Sequence, residues 1–170
     1  MANILLDDIY RRRLDCYSPR MIKEYSIKNP TDFDKVVDDI LELHKLAKNE
    51  NLILALEGDL GVGKTTFTQR LAQKLGVEEL VTSPTFTIIK QYELNLSTSG
   101  FEELVHMDAY RIETEDEVYP LHLERLLQKP NTIICIEWPE KIRNFIPTSA
   151  INISIQIREG EERSLTLSTL

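Results

Sequence analysis

Eight consecutive residues have the types and the spacing of a phosphate-binding loop. Residues 58 to 65 are Gly-Asp-Leu-Gly-Val-Gly-Lys-Thr, which satisfies the pattern GxxxxGK[ST]. Glycines in such a loop allow backbone conformations that turn successive N–H groups inward, and the positive end of the following helix points at the same place. The sequence therefore predicts a site for the phosphates of a nucleoside triphosphate. The motif predicts the ligand and leaves the reaction open.

The polar residues of the loop have separate predicted roles. Lys64 supplies a positive charge to the β- and γ-phosphates, Thr65 offers a hydroxyl oxygen to a phosphate-bound Mg²⁺, and Thr66 contacts the α-phosphate side. The predicted nucleotide-binding residues of this segment are Gly61, Val62, Gly63, Lys64, Thr65 and Thr66. A glycine turn that merely precedes a helix is the alternative interpretation, and the apolar run before the loop argues against it.

Two acidic residues follow apolar, strand-like runs and could give the site catalytic activity. Glu137 comes after residues 133 to 136 and is the best candidate for a Mg²⁺ carboxylate, either directly or through a water. Asp108 comes after residues 104 to 107 and could orient or deprotonate an attacking water. The alternatives are purely structural: Glu137 would be an acid that faces solvent, and Asp108 would cap a helix or form an ion pair with Arg111. Together with Lys64, these two acids are the predicted catalytic residues.

Three further residues are candidates with competing interpretations. Thr85, in a Ser-Pro-Thr turn, is similar to a switch-loop threonine that senses a γ-phosphate. Trp138 could border or stack on the nucleotide, or it could anchor a packed loop. His106 lies two residues before Asp108, and a structural, hydrogen-bonded histidine is favoured over proton transfer.

Size and composition limit the number of domains. A chain of 170 residues with 42% hydrophobic content fits one domain with one sizeable core. We assign that domain to residues 21 to 170. Residues 1 to 20 are predicted to be a leader that is loose or ordered by a partner, with a short docking helix as the alternative.

Charge and hydropathy limit the classes of partner. A net charge of −8 and a pI near 5.0 argue against a protein that binds nucleic acid by itself, so any nucleic acid is expected only through a partner. The sequence has two cysteines and no apolar stretch of the ~20 residues that span a bilayer. We therefore expect no membrane contact and a cytoplasmic location. The oligomeric state is left open.

Apolar periodicity alternates between strand and helix patterns along the chain. Helices are expected from Thr31, capped with Asp34, from Lys64 to a stop at Gly76, and across residues 121 to 127. The predicted strands are residues 21 to 27, 52 to 56, 86 to 92, 104 to 107, 132 to 136, 151 to 157 and 164 to 167. A polar hairpin-like connection is expected over residues 95 to 100, and the last two strands are expected to form an antiparallel edge hairpin. This order predicts a three-layer α/β nucleotide-binding fold with a mixed sheet and an antiparallel C-terminal extension.

Four segments taken in order resemble the TsaE (YjeE) family. They are residues 58 to 67 (GDLGVGKTTF), 83 to 87 (SPTFT), 106 to 111 (HMDAYR) and 137 to 140 (EWPE). The resemblance covers about residues 22 to 168. It implies a P-loop nucleoside triphosphate hydrolase fold and a small bacterial ATPase that works with TsaB-like and TsaD-like subunits. Their product is threonylcarbamoyladenosine on tRNAs that read codons starting with A.

The resemblance also implies residue roles. The loop binds ATP, Thr65 and Glu137 hold Mg²⁺, Asp108 supports hydrolysis, Trp138 lies by the site, and Thr85 belongs to a switch-like segment. One departure is that Leu121-His122 stands where the family often has a glycine, which puts the local conformation in question.

Two other functions remain open from the sequence. A small-molecule or nucleoside kinase uses the same loop, but it needs an arginine-rich lid, and the arginines here are scattered. A pure binding module would use ATP as a structural clamp. A GTPase switch is disfavoured because no NKxD-type tetrapeptide is present, so adenine is favoured over guanine mainly by the resemblance.

Overall fold

The computed structural model describes residues 21–47, 50–160 and 162–169. The predicted leader, residues 1 to 20, lies outside this part of the chain, so both interpretations of it stay predictions. Among the described residues, no helix is both long enough and apolar enough to cross a membrane.

Within the described residues, seven strands form one mixed sheet. Their spatial order is β1-β7-β6-β2-β5-β4-β3. β2 is parallel to β5 and β6, and β4 is parallel to β5. β7 is antiparallel to β1 and β6, and β3 is antiparallel to β4. The strands are Ile22–Ile27 (β1), Leu52–Glu57 (β2), Ile89–Glu93 (β3), Glu103–Asp108 (β4), Thr132–Glu137 (β5), Ile151–Ile157 (β6) and Arg163–Thr169 (β7). The mixed sheet with antiparallel C-terminal strands is confirmed.

The described residues form four α-helices, and two of them have only 4 and 5 residues. They are Phe33–Ala47 (α1), Lys64–Lys74 (α2), Leu96–Ser99 (α3) and Leu123–Leu127 (α4). Pro30–Asp32, Glu115–Glu117, Tyr119–Leu121 and Pro139–Phe145 form 3₁₀ turns. α2 begins at the predicted residue and ends just before Gly76, whose φ of 87° closes the helix in the left-handed region.

Two layers of side chains cover the sheet. On one face, α1 and α2 bury Phe33, Val36, Ile40, Phe67 and Leu71 against inward residues of the central strands. On the other face, Leu123 of α4, Ile142 of the last 3₁₀ turn and the loop residues Ile112 and Val118 pack against Ile53, Val105 and Ile134. β2 and β5 are covered on both sides, which explains their unbroken apolar runs.

Three local predictions are wrong. α1 begins at Phe33 rather than Thr31, because Pro30 starts a 3₁₀ turn in which Asp32 Oδ2 accepts the N–H groups of Lys28 and Asn29 at 2.7 and 2.8 Å. The C-terminal hairpin is not the edge of the sheet, because β1 pairs along the outer side of β7. Residues 95 to 100 form the short helix α3, which begins where Asn95 Oδ1 accepts the N–H of Ser97 at 3.0 Å.

The predicted strand over residues 86 to 92 is also shorter than expected. β3 begins at Ile89, because the N–H groups of Thr87 and Ile88 both donate to Pro84 O, at 3.0 and 2.6 Å, and close a turn. Ile88 is β-branched and yet has a φ of 64°, a conformation that costs such a residue about 1–3 kcal/mol. The segment that contains Thr85 is therefore a strained turn and not the start of a strand.

Candidate functional site

The phosphate-binding loop connects β2 to α2, as the motif requires. Its first glycine has no substitute: Gly58 has a φ of 138°, and a Cβ there would lie 2.3 Å from Ile155 O. Gly63 precedes α2 with a φ of 113°. These positive φ values give the loop its curved backbone and leave the first N–H groups of α2 facing the site.

Lys64 is held inside the loop. Its Nζ donates to Gly58 O at 2.6 Å and to Asp59 O at 2.9 Å, and it lies 3.9 Å from the centre of the Trp138 ring. Burial lowers the pKa of the Lys64 ammonium, and the nearby carboxylate of Glu137 partly opposes that shift. The ammonium is thus a partly desolvated charge at the mouth of the loop.

Thr65 and Glu137 are joined directly. Thr65 Oγ1 donates to Glu137 Oε1 at 2.8 Å, and His106 Nε2 lies 2.8 Å from the same oxygen. Glu137 is 3% exposed, so it is not the solvent-facing acid of the alternative interpretation. The structure places a hydroxyl and a carboxylate side by side at the ends of α2 and β5.

Asp108 is the acceptor for the predicted switch segment. Its Oδ2 accepts the hydroxyls of Ser83 at 2.9 Å and Thr85 at 2.5 Å, and its Oδ1 accepts the N–H of Tyr110 at 3.0 Å. The backbone N–H of Asp108 also donates to Ile88 O at 2.9 Å. Asp108 therefore ties residues 83 to 88 to the end of β4 by both side chain and backbone.

These groups surround one cavity of about 340 Å³. Asp108 and Glu137 are register partners on the parallel strands β4 and β5, so both acids emerge at the same edge of the sheet. The cavity is lined by Leu60, Gly61, Gly63, Lys64, Thr65, Thr66, Ser83, Thr85, Asp108, Tyr110, Glu137 and Trp138. The volume falls in the range of ordinary small-molecule sites.

Some residues named from the sequence lie elsewhere, and some lining residues were missed. The side chain of Val62 is 1% exposed and packs into the core, so the predicted contact of this residue with a nucleotide is one for its backbone N–H alone. Arg111 lies 4.3 Å from the Phe86 ring centre and is not a lining residue of the cavity. Ser83 and Tyr110 line the cavity although the sequence analysis gave neither a role. Ser83 and Thr85 are two residues apart in one turn, and this spacing was the signal in the sequence that could have placed Ser83 in the site with Thr85.

A second cavity of about 220 Å³ lies on the other side of the loop. It shares Gly61, Gly63 and Thr66 with the first, and its outer wall is formed by Lys28, Asn29, Phe33 and Arg163 among others. Since Thr66 borders both spaces, a ligand with phosphates in the first cavity could extend into the second.

The donor set of the first cavity suits a hard cation that also binds phosphate. Within the residues that the structure describes, no group of three or more His, Cys, Asp or Glu side chains could form a metal cage. A neighbouring hydroxyl and carboxylate, Thr65 and Glu137, fit instead the pattern in which Mg²⁺ takes few protein oxygens and completes its shell with phosphates and waters.

The mixed sheet, the loop between β2 and α2, and the acids at the strand ends define a P-loop α/β protein. A sequence profile described as threonylcarbamoyl adenosine biosynthesis protein TsaE matches residues 27–165. The chain belongs to this TsaE family.

Individual relatives agree with the family match. The tRNA threonylcarbamoyladenosine biosynthesis protein TsaE of Bacillus subtilis (strain 168) is 40% identical over 118 residues, which are 69% of this chain and 70% of that protein. The protein of the same name from Treponema pallidum (strain Nichols) is 32% identical over 120 residues, 70% of this chain and 83% of that protein. The crystal structure of Bacillus subtilis YdiB superposes with a TM-score of 0.69 at 27% identity and covers 90% of this chain and 88% of that one.

Proposed function

We propose that this protein binds ATP with Mg²⁺, hydrolyses it slowly, and acts as a partner-gated switch in the biosynthesis of threonylcarbamoyladenosine on tRNA. One observation supports the proposal most directly: the loop, the Thr65–Glu137 pair and the Asp108 cluster border the same cavity. The family supports the pathway, since its relatives carry the name of that biosynthesis.

ATP binding would use the two cavities together. The β- and γ-phosphates bind to the N–H groups of residues 61 to 66, and Lys64 Nζ exchanges its bonds to Gly58 O and Asp59 O for phosphate oxygens. Thr66, which lines both cavities, contacts the α-phosphate, and the nucleoside extends towards Asn29 and Phe33. Trp138 borders the phosphate side through its contact with Lys64.

Thr65 Oγ1 and Glu137 are the residues that would hold Mg²⁺. When bound, the ion would neutralise charge on the β- and γ-phosphates. The 2.8 Å bond between the two side chains already sets the hydroxyl and the carboxylate next to each other. Binding of the cation would therefore need little rearrangement of this pair.

Hydrolysis would use Asp108 to orient the attacking water. A carboxylate offers about four acceptor positions. The hydroxyls of Ser83 and Thr85 take those of Oδ2, and the Tyr110 N–H takes one of those of Oδ1, so release of Thr85 on ATP binding leaves the Oδ1 side unchanged. The remaining position on Oδ1 can accept a hydrogen bond from water. That water forms a bond to the γ-phosphorus as the bond from the phosphorus to the bridging oxygen breaks. Both protons of the water stay with the transferred group, and ADP and dihydrogen phosphate leave.

The segment of residues 83 to 88 is the proposed switch. It is fastened to Asp108 and strained at Ile88, so a γ-phosphate that offers new acceptors to Thr85 could shift it to a second arrangement. Loss of the γ-phosphate would restore the bonds to Asp108. ATP and ADP would thus present different surfaces to a partner.

The surface around the cleft supports a protein partner. Leu60, on the loop, is 77% exposed, Phe86, in the switch segment, is 84% exposed, and Tyr110 is 47% exposed. We propose TsaD-like and TsaB-like subunits as the partners, with tRNA contacted only through them, because the net charge of −8 disfavours direct binding of RNA. This role belongs in the cytoplasm.

The test is ATP turnover by the purified chain alone and with the two partner subunits. We expect slow turnover alone and a clear increase in the complex, since none of the residues that line the described cleft is an arginine that could stabilise the transition state. Fast turnover that the partners leave unchanged would contradict a partner-gated switch. A screen for phosphate transfer to nucleosides and small acids separates this function from a kinase.

A further inference from the structure

His106 is a buried histidine outside the cavity that contacts the proposed magnesium carboxylate. It is 0% exposed, it does not line the cleft, and its Nε2 lies 2.8 Å from Glu137 Oε1. A carboxylate only accepts hydrogen bonds, so Nε2 carries the hydrogen and donates it.

The surroundings of the other ring nitrogen indicate that packing alone does not explain why a histidine occupies this position. Nδ1 is fully buried and has no hydrogen-bond partner among the described residues. An unsatisfied buried polar atom destabilises a fold, and an apolar side chain of similar size would avoid that penalty. Leu104, on the same face of β4 and equally buried, shows that this layer accepts a leucine.

The bond from His106 also differs from the bond that Thr65 makes to the same oxygen. The Thr65 hydroxyl faces the cleft, so its oxygen would be a ligand of a bound cation. The imidazole approaches Oε1 from the core, where no ligand reaches it. With Oε1 held from the core, Oε2 is the oxygen of Glu137 left for a cation or for its water shell.

We propose that His106 is a positioning residue: its Nε2–H holds Glu137 in the orientation that receives nucleotide-bound Mg²⁺. The inference rests on the proposed binding of ATP and Mg²⁺. Hydrogen-bond partners of metal ligands of this kind typically change metal affinity by about 10–100-fold.

The experiment compares three variants. His106→Leu removes the donor and keeps most of the volume, whereas His106→Gln restores an N–H that extends about as far from the backbone as Nε2. Leu104→Ala is the matched control, because it opens a cavity in the same strand and face without contacting Glu137. The readout is the Mg²⁺ concentration that gives half-maximal ATP binding, followed by fluorescence of Trp138, the single tryptophan. Thermal unfolding of each variant is measured in parallel.

We expect His106→Leu to raise that Mg²⁺ concentration by about 10–100-fold, with ATP binding in EDTA little changed. His106→Gln recovers most of the loss, and Leu104→Ala lowers the unfolding temperature without changing the Mg²⁺ requirement. The inference is overturned if His106→Leu and His106→Gln bind Mg²⁺ as the wild type does, or if Leu104→Ala shifts the Mg²⁺ requirement equally. If His106→Leu does not fold, the comparison of His106→Gln with His106→Asn, whose shorter amide cannot reach Glu137, decides in the same way.

The wild-type titration separates this inference from the proposed function. A wild-type chain whose ATP binding does not depend on Mg²⁺ would overturn both. A Mg²⁺-dependent wild type with unaffected histidine variants overturns the role of His106 alone.

Discussion

The Thr65 hydroxyl and the Glu137 carboxylate, 72 positions apart in the chain, meet at 2.8 Å. Thr65 is in the first turn of α2, and Glu137 ends β5, the strand next to β2. The phosphate-binding loop and the strand-end acid are therefore joined by a direct contact, and the magnesium chemistry that we propose depends on this pair.

Glu137→Gln tests the charge of this pair. The amide keeps the size of the side chain and can still accept the Thr65 hydroxyl, but it removes the negative charge that attracts a cation. We expect Mg²⁺-dependent ATP turnover to fall by about 100-fold or more, with the fold and Mg²⁺-free nucleotide binding retained. Steady-state kinetics over a Mg²⁺ titration measures the effect, and turnover within threefold of the wild type at all Mg²⁺ concentrations would argue against Glu137 as the carboxylate.

Thr85→Val tests the anchoring of the switch segment. Valine keeps the branched shape but removes the hydroxyl that donates to Asp108 Oδ2, which should loosen residues 83 to 88 by about 1 kcal/mol. Hydrogen exchange measured by mass spectrometry should become faster in this segment and stay unchanged in β2 and β5. Thr85→Ser keeps the donor and serves as the control. Equal protection in all three proteins would mean that the hydroxyl does not hold the segment.

Asp39→Asn tests a charge cluster away from the site. Asp39 accepts hydrogen bonds from Lys23, from Tyr25 Oη at 2.8 Å and from Lys35 Nζ at 2.8 Å. These bonds hold the pKa of Asp39 well below its ordinary value of 3.8, and the bond from Lys23 has the largest effect, followed by the bond from Lys35.

A folded-state pKa below the unfolded value gives stability that is present above pH 3.8 and is lost as the pH falls through the folded-state pKa. We expect the asparagine variant to lose about 1–3 kcal/mol at pH 7 and progressively less as the pH falls below 4. Urea unfolding at several pH values measures the difference. A loss that does not vary with pH would assign the effect to packing.

His122→Gly tests the backbone conformation at the start of α4. His122 has a φ of 51° and a ψ of 37°, so it occupies the left-handed region that favours glycine. Glycine adopts this conformation without the Cβ clash, and relief of the clash should raise the free energy of unfolding by about 0.5–1 kcal/mol. His122→Ala, which keeps the Cβ, should give no such gain. A glycine variant that is less stable than the alanine variant would contradict the interpretation.

The central part of the site was predictable because it depends on local motifs and on strand ends. The loop fixes Lys64 and Thr65, and apolar runs place Asp108 and Glu137 at the edge where parallel strands end. The partners of these residues were harder to predict. The contact of Asp108 with Ser83 depends on where the turn before β3 lies, and the contact of Glu137 with His106 depends on the pairing of β4 with β5. The strand over residues 86 to 92 was too long because β-branched residues favour strands, and the tertiary bond from Asp108 N to Ile88 O holds a turn there instead.

The sequence pattern also did not predict which strand forms the edge of the sheet next to β7. The alternation in β6 and β7 predicts their hairpin. Nothing in that pattern indicates that β1, remote in the chain, pairs from Ile22↔Ser168 to Ile27↔Arg163. Pairing between strands distant in sequence depends on which edge stays free once the core has formed.

The most direct test of the central claim is the number of tRNAs modified per assembled complex when this chain carries Asp108→Asn. The amide still accepts hydrogen bonds at Oδ1, so we expect the variant to bind ATP and the partner subunits while its ATP turnover falls by about 100-fold or more. Quantification of threonylcarbamoyladenosine over time should then show one round of modification per complex, followed by arrest, whereas the wild type continues. Many rounds per complex with Asp108→Asn, at unchanged rate and without ATP hydrolysis, would contradict the switch and leave ATP as a structural clamp.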